Sequence, residues 1–378
     1  MKLLVKTLHG LEGVLAEEIK ALGGDSIETG KRSVACEGNL ELLYKLNYQL
    51  RTGLKVLVPI HSFAAKSEDQ LYKQVKDYRW EDVMGPENTF AIDHTIFSEY
   101  FKHSKFASLR AKDGLVDRFR EKVGRRPSVD AEQPDFLINL HAFKEHFTIS
   151  LDSTGESLNQ RGYRSLGHEA PMNEVLAAGL IQLSGWDKET PLVDPMCGSG
   201  TLLVEAAMLA NNYPAQMLRK SFAFTNWREF QPALWSRVKT SANAASRKSV
   251  LYLQGSDIDP KSIKWTKESF KKLGLKDSVK LREGSFDQLN RVHSAGTIIT
   301  NPPYGERIGD DVLELYDRLG DTLKNTYVGY DAWIFSSNLK ALKQLKLKPS
   351  VKTPLYNGSL ECQYCKYELY EGSKDLVN

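Results

Sequence analysis

The chain has 378 residues, long enough for two or three domains with substantial cores, and its 41% hydrophobic and 10% aromatic content is that of an ordinary folded protein. A formal net charge of +3 is too small to mark a nucleic-acid binder by itself, so any such reading has to rest on local clusters of basic residues. No signal peptide or spanning segment is expected, because the apolar run Met1 to Val5 is broken by Lys6, and a cytoplasmic location is the default.

Lys2 to Thr7 reads as a strand, and Leu11, Val14, Leu15, Ile19 and Leu22 follow at helical spacing before Gly23 and Gly24 stop them. Ser33 to Cys36 suggests a second strand, Asn39 caps a helix through Leu46, and Leu54 to Ile60 is a third strand. This mixed order predicts a small ferredoxin-like unit over residues 1–60. A second α+β segment is expected over 61–155, with a helix from Glu68 to Tyr78 and a strand from Thr89 to Thr95. A long helix from Ser104 to Val123 comes next, then paired strands Phe136 to Leu140 and Phe147 to Leu151. That helix carries Lys105, Arg110, Lys112, Arg118, Arg120 and Lys122, and Arg125 and Arg126 follow it. Its basic residues outnumber its acids, which suits a phosphate-contacting surface and equally suits a solvated helix face.

Residues 156–170 read as a linker in which Arg161 and Arg164 are candidates to touch RNA or to pack between domains. A helix from Glu169 to Leu183 leads into the last domain, 171–378. There a strand ends in Asp194, Pro195, Met196, Cys197, Gly198, Ser199, Gly200, Thr201 and passes into an apolar helix, Leu202 to Leu209. Strand, glycine turn and helix in that order place backbone N–H groups around a nucleotide-like ligand. The segment Asn211 to Lys248 mixes Phe222, Phe224, Trp227, Phe230 and Trp235 with basic residues, a composition that serves either RNA stacking or a helical cover. Ser249 to Gln254 reads as the next strand, closed by Asp257 and Ile258, where an acid can take both ribose hydroxyls of an adenosine. Helices are expected from Ser262 to Leu273 and from Asp311 to Leu323. Strands are expected at Val279 to Arg282, Ala332 to Ser336 and Leu360 to Tyr370, with Thr353 to Gly358 as a hairpin loop. Cys362 and Cys365 form a C-x-x-C without a second pair or a His partner, and the alternating strand points them to opposite faces, so no metal site is expected.

The apolar run Thr297 to Thr300 is followed by Asn301, Pro302, Pro303 and Tyr304. The prolines cannot continue the strand, so a loop forms at its C-terminal end, where open α/β sheets bind ligands. The residue types fit methyl transfer to an exocyclic amine. Such a nitrogen is a poor nucleophile because its lone pair is delocalised into the ring. Acceptors on its N–H bonds, here the Asn301 side-chain oxygen and the Pro302 carbonyl, localise that pair. Pro303 stiffens the loop and Tyr304 offers a face for the base. Pro-Pro before an aromatic also occurs in ordinary turns; the glycine turn, the acidic strand end and this loop in order make the stronger signal.

Together these stretches resemble a known family. Residues 171–378 resemble a class I S-adenosylmethionine-dependent methyltransferase, a Rossmann-like α/β domain with a mixed seven-stranded sheet. D-P-M-C-G-S-G-T with N-P-P-Y-G-E-R resembles the THUMP-containing 23S rRNA guanine-N2 methyltransferases. H-S-K-F-A from His103, G-R-R-P-S-V-D from Gly124 and the following strand pair are similar to an RNA-binding THUMP domain, and S-T-G-E-S-L-N-Q-R-G-Y-R is similar to the linker of that family. The resemblance implies that Asp194, Gly198 and Gly200 enclose the methionine end of S-adenosylmethionine, that Asp257 holds the ribose, and that Pro195, Cys197, Thr201, Ile258 and Asn301 also contact the cofactor. It implies that Asn301 with Tyr304 addresses the target base, with Pro302 and Pro303 in the same catalytic corner. Ala170, Pro171 and Asn173 are expected to lie against the cofactor. Ser285 stands where most members place the Asp that receives the adenine amine, with Asp287 or a backbone carbonyl as substitutes. RNA contacts are expected at Lys105, Arg110, Arg125, Arg126, Arg161 and Arg164. The expected reaction is methylation of a guanosine N2 in 23S rRNA. The alternatives are a tRNA guanosine, an adenine N6, or a non-catalytic RNA-binding assembly factor.

Overall fold

The computed structural model describes residues 1–164, 172–304 and 311–371. Two compact units make up the chain. One comprises Met1–Thr7, Ala16–Leu158 and Arg219–Thr240, and the other Leu8–Leu15, Asn159–Leu218 and Ser241–Asn378.

In the first unit the elements are β1 (Lys2–Thr7), α1 (Glu12–Ala21), whose first turn is counted with the second unit, β2 (Asp25–Gly30), β3 (Ser33–Glu37), α2 (Leu40–Gln49), β4 (Gly53–Ala64), α3 (Glu68–Asp77), β5 (Thr89–Phe97), α4 (Ser104–Val123), β6 (Ser128–Val129), β7 (Phe136–Phe143) and β8 (His146–Asp152). Alternation buries Leu3, Val5 and Thr7 on one face of β1. Asn39 caps α2 by accepting from the Leu42 N–H at 3.0 Å. All eight strands form one sheet in the order β2-β3-β1-β4-β8-β7-β5-β6. The ferredoxin-like and following segments, separate along the chain, share it because the twelve residues of β4 reach from β1 (Leu4 to Leu57) to β8 (Ala64 to His146). Phe224, Phe230 and Trp235 pack on Tyr44 of α2 with ring centroids 4.6–6.1 Å apart, and Phe222 packs on Phe224 and Trp235. The aromatic segment is therefore a cover, and it belongs to this unit.

The second unit follows with α5 (Glu174–Ser184), β9 (Leu192–Asp194), α6 (Thr201–Ala210), α7 (Pro232–Ala244), which spans the division between units, β10 (Leu253–Asp257), α8 (Pro260–Lys272), β11 (Val279–Glu283), β12 (Gly296–Thr300), α9 (Asp311–Thr326), β13 (Tyr330–Ser336), α10 (Leu339–Gln344), β14 (Val351–Asn357) and β15 (Leu360–Glu368). Its sheet runs β11-β10-β9-β12-β13-β15-β14, parallel except for β15, which is antiparallel to both neighbours. Ile298 and Ile299 are fully buried, as the unbroken apolar run requires of a central parallel strand. Val312, Tyr316, Leu319 and Leu323 supply the core face of α9. Gly320 lets that helix approach closely, since a Cβ there would stand 2.3 Å from the Leu345 carbonyl oxygen.

Three expectations are corrected. The strand placed at Ser249 to Gln254 is Leu253–Asp257. Thr353 to Asn357 is strand rather than loop: β14 lies at the sheet edge, where Pro354 is tolerated. The helix expected from Glu169 begins at Glu174, capped by Asn173, and residues 165–171, with Ala170 and Pro171, lie outside the described residues. Cys362 and Cys365 are buried thiols of β15. Among the described residues no helix is long and apolar enough to cross a membrane, and no cluster of candidate metal ligands occurs.

Candidate active site

β9 has β10 on one side and β12 on the other: the chain winds outward from β9 through β10 to β11 and then crosses back to β12 beyond β9, so the C-terminal ends of β9 and β12 form the switch point where a crevice opens. Asp194 closes β9 and Thr300 closes β12. The Thr300 hydroxyl donates to Asp194 Oδ1 at 2.9 Å and the Met196 N–H donates to the same oxygen at 3.3 Å, fastening the two strand ends. Burial pushes the Asp194 carboxyl up to about 7; these hydrogen bonds oppose the shift and the Asp257 charge adds to it.

Beyond Asp194 the chain turns sharply. Gly198 (φ 52°) and Gly200 (φ 75°) adopt left-handed conformations, and a Cβ on Gly200 would lie 2.3 Å from Thr266 Cγ2 of α8. The Cys197 N–H donates to the Ser256 carbonyl at 2.8 Å, and the Gly198 N–H to Asp257 Oδ2 at 2.8 Å. Asp257 Oδ1 accepts from the Asp259 N–H at 3.0 Å. Each carboxylate oxygen keeps a further lone pair, enough for two ligand hydroxyls.

A cavity of about 660 Å³ lies over these strand ends. Of the residues expected to hold the cofactor, Pro195, Gly198, Asp257, Ile258, Ser285 and Asn301 line it. Asp194 is buried beneath, Cys197 is buried with its thiol pushed up by that burial, and the Thr201 hydroxyl accepts from Arg164 at 2.8 Å. Gly200 shapes the turn from outside the wall. Asn173 spends its side chain on the α5 N-cap, accepting from the Val175 N–H at 2.9 Å.

In the Asn301–Tyr304 corner, Asn301 and Pro303 line the cavity and Pro302 is buried. Asn301 Oδ1 is buried and has no hydrogen-bond partner among the described residues. Tyr304 is off the cavity wall, its hydroxyl accepting from Asn357 Nδ2 at 2.7 Å. Residues 305–310, with the rest of N-P-P-Y-G-E-R, lie outside the described residues.

The sequence reading missed one wall: Asp311, Glu314, Leu315 and Arg318 of α9, with Met196, Gly284 and Phe286. The four α9 residues recur at helical spacing on one face, the signal that could have found them. The Arg318 guanidinium lies 5.5 Å from the Phe286 ring centroid, pairs with Asp287 and reaches Ser285 Oγ at 3.4 Å. That pairing holds the Asp287 carboxyl below its usual range. Asp287 thus serves Arg318 and is not on the cavity wall.

One expected RNA contact is corrected, and a second is engaged within the protein. The Arg161 side chain is fully buried against Glu205 of α6, Nε to Oε1 3.4 Å, so it is not offered to a nucleic acid. Arg164 pairs with Glu174 at 3.1 Å and binds Thr201, clamping the starts of α5 and α6. On α4, Arg110 pairs with Asp69 at 3.2 Å and covers the Tyr72 ring, while Arg118 and Arg120 pair with Glu81 and Asp117. Lys105, Arg125 and Arg126 are exposed.

The chain matches three family descriptions: an RMKL-like methyltransferase domain over residues 161–366, a THUMP domain over 65–152 and an RlmL ferredoxin-like domain over 2–57. It is 37% identical to a provisional RNA methyltransferase of Synechocystis sp., covering 96% of this chain and 95% of that one. It is 35% identical to the ribosomal RNA large subunit methyltransferase K/L of Syntrophotalea carbinolica over 98% of this chain, and spans only 54% of that protein. Among solved structures, a provisional methyltransferase complexed with SAH superposes with a TM-score of 0.89 at 28% identity, over 98% of this chain and 99% of that one. A predicted N6-adenine-specific DNA methylase of Listeria monocytogenes superposes with a TM-score of 0.88 at 25% identity, over 97% and 96% of the two chains.

Proposed function

Since this chain belongs to the RMKL-like methyltransferase family, whose methyl donor is S-adenosylmethionine, we propose that it methylates the exocyclic N2 of a guanosine in large-subunit ribosomal RNA, in the cytoplasm. The observation that carries the reading is the buried Asn301 Oδ1, without a hydrogen-bond partner among the described residues, on the wall of the cavity that Asp257 also lines. Leaving a buried acceptor unpaired costs about 1–3 kcal/mol, so a ligand N–H is the expected partner.

The residues present fit the donor. The left-handed Gly198 and Gly200 keep the turn free of side chains, Asp257 has lone pairs for the two ribose hydroxyls, and the cavity is of ligand size. When bound, the donor supplies an electrophilic methyl group. Asn301 and the Pro302 carbonyl accept the two N–H bonds of the target amine and turn its lone pair toward that methyl group. Their oxygens, fixed before reaction, also stabilise the positive charge that grows on the nitrogen. No strong base is required, because the proton becomes acidic once the new bond forms and can leave to water. Pro303 holds the corner, and alignment of the two reacting atoms is the largest contribution to rate. In this reading Tyr304 closes on the base from its position beside Asn357, while Ser285, Phe286 and Arg318 surround the donor's adenine.

The fold shared with the Listeria protein, named for N6-adenine, favours one second reading, since the same corner serves either amine. Incubation of the full chain with isotopically labelled donor and with rRNA or tRNA from a strain lacking it, followed by nucleoside mass spectrometry, separates them. N2-methylguanosine in 23S rRNA is the expected product. N6-methyladenosine, or label in tRNA alone, overturns the base or the RNA class, and no label in any RNA overturns the enzyme reading.

A further inference from the structure

The cavity and its catalytic corner leave one surface of the first unit unexplained. β5 and β7 run parallel, and their register pairs the last residue of each, Phe97 with Phe143. The same row continues through His146 of β8 to Ala64 of β4. Paired residues share a face of the sheet, and at this end the face is open: Phe97 is 64% exposed and Phe143 59%. On the opposite face of β7, Ile138, Leu140 and Ala142 are buried. Tyr100, 42% exposed, follows β5, with Lys66 Nζ 5.7 Å from its ring centroid. Lys144 Nζ stands 5.8 Å from the Phe143 ring centroid, and the Lys144 N–H donates to the Phe97 carbonyl at 2.7 Å, which ties the ends of the two strands together at these rings.

Scattered exposed apolar residues need no explanation; two phenylalanines side by side, a nearby tyrosine and lysines at the rings form a pattern. The cores of protein–protein interfaces are depleted of lysine, whereas surfaces for single-stranded nucleic acid combine stacking rings with cations that track phosphates. Glu99 and Glu145 lie in the same two connections, so the strip has no large excess of charge and the rings supply most of the grip. We infer that this strip is a stacking platform for unpaired nucleotides of an RNA strand, bases lying on Phe97 and Phe143 and phosphates meeting Lys66 and Lys144. The inference rests on RNA being the substrate class and deepens it by assigning single-stranded RNA to this end of the sheet.

The test uses the full chain and fluorescence anisotropy with a short labelled single-stranded RNA and its duplex, for the wild type and for Phe97→Ala, Phe143→Ala, Phe97→Leu and Phe97→Tyr. Calorimetric binding of S-adenosylhomocysteine checks the fold of each variant. Each Ala variant should lose about fivefold or more in single-strand affinity. Phe97→Tyr should keep it, Phe97→Leu should not, and duplex binding should hardly change. Ala variants that bind cofactor and single strand like the wild type overturn the platform, as does Leu serving as well as Tyr. So does an effect confined to self-association in the ultracentrifuge, which would make the strip a protein contact. These comparisons are independent of catalysis: a wild type that binds RNA and methylates none overturns the functional reading while the affinities still decide this one.

Discussion

Asn301 is flanked on one side by the apolar strand β12 and stiffened on the other by two prolines, and its side-chain oxygen is buried without a partner among the described residues. If that oxygen holds the target amine, Asn301→Ala should cut methyl transfer by roughly 10²-fold, as loss of one preorganised polar group does elsewhere. Calorimetry should find cofactor affinity nearly unchanged, and undiminished turnover would remove the assigned role. Asp257 is the complementary case. Asp257→Ala should weaken cofactor binding by about 10²-fold, the worth of two hydrogen bonds to a charged group. A fall in RNA affinity alone would show that the carboxylate does not hold the ribose. Asp194 makes a prediction about pH in the cofactor-free protein. Its carboxyl is raised to about 7 when folded, against an unfolded value of about 3.9. The folded state therefore binds the extra proton between these values, and this group's contribution to stability is full below about pH 4 and lost as pH rises through about 7. The difference in urea midpoint between the wild type and Asp194→Asn, measured across that window, should shift against the wild type as pH rises; a difference that does not change with pH would remove the carboxyl's assigned role.

Elements place these groups where single residues could not. The crevice exists because the winding reverses between β11 and β12, which sets β12 on the side of β9 away from β10, and the Asp194–Thr300 hydrogen bond fixes the spacing of the two strand ends on which glycine turn and Asn301 corner are built. Helix α6 is tied to the preceding chain by buried polar contacts: its Glu205 receives both Arg161 and the Tyr163 hydroxyl, the latter at 3.0 Å. Glu205→Ala should therefore cost about 3–5 kcal/mol, the range for breaking a buried ion pair. Denaturant unfolding followed by tryptophan fluorescence measures this. A loss below about 1 kcal/mol, the scale of an exposed pair, would mean that the arginine finds equal compensation elsewhere.

For the molecule as a whole, a net charge of +3 leaves RNA affinity to local clusters, and the fold thins those clusters. Most α4 cations are paired with nearby carboxylates, whereas Lys105, Arg125 and Arg126 are exposed. Replacing these three by alanine should lower the slope of log affinity against log salt by about 2, since each neutralised phosphate contributes roughly 0.7–0.9 to it. Anisotropy titrations over a salt series give that slope; an unchanged slope would move the phosphate-binding residues to another surface.

By itself the sequence determined the pieces whose chemistry is local. Glycines at left-handed turn positions, prolines that end β12, an acid at the end of β10 and caps such as Asn39 act within a few residues of themselves, so their patterns survive in one dimension. Tertiary structure alone decided what depends on distant partners. Arg161 and Lys105 are both cations in the sequence, and only the folded chain buries the first, against Glu205. Asp25–Gly30 has no apolar alternation, and Pro354 reads as a turn; both became strands because a neighbouring strand offered its free edge. The α9 wall of the cavity, and the pairing of Phe97 with Phe143, likewise exist only once packing and register bring separated residues to one face.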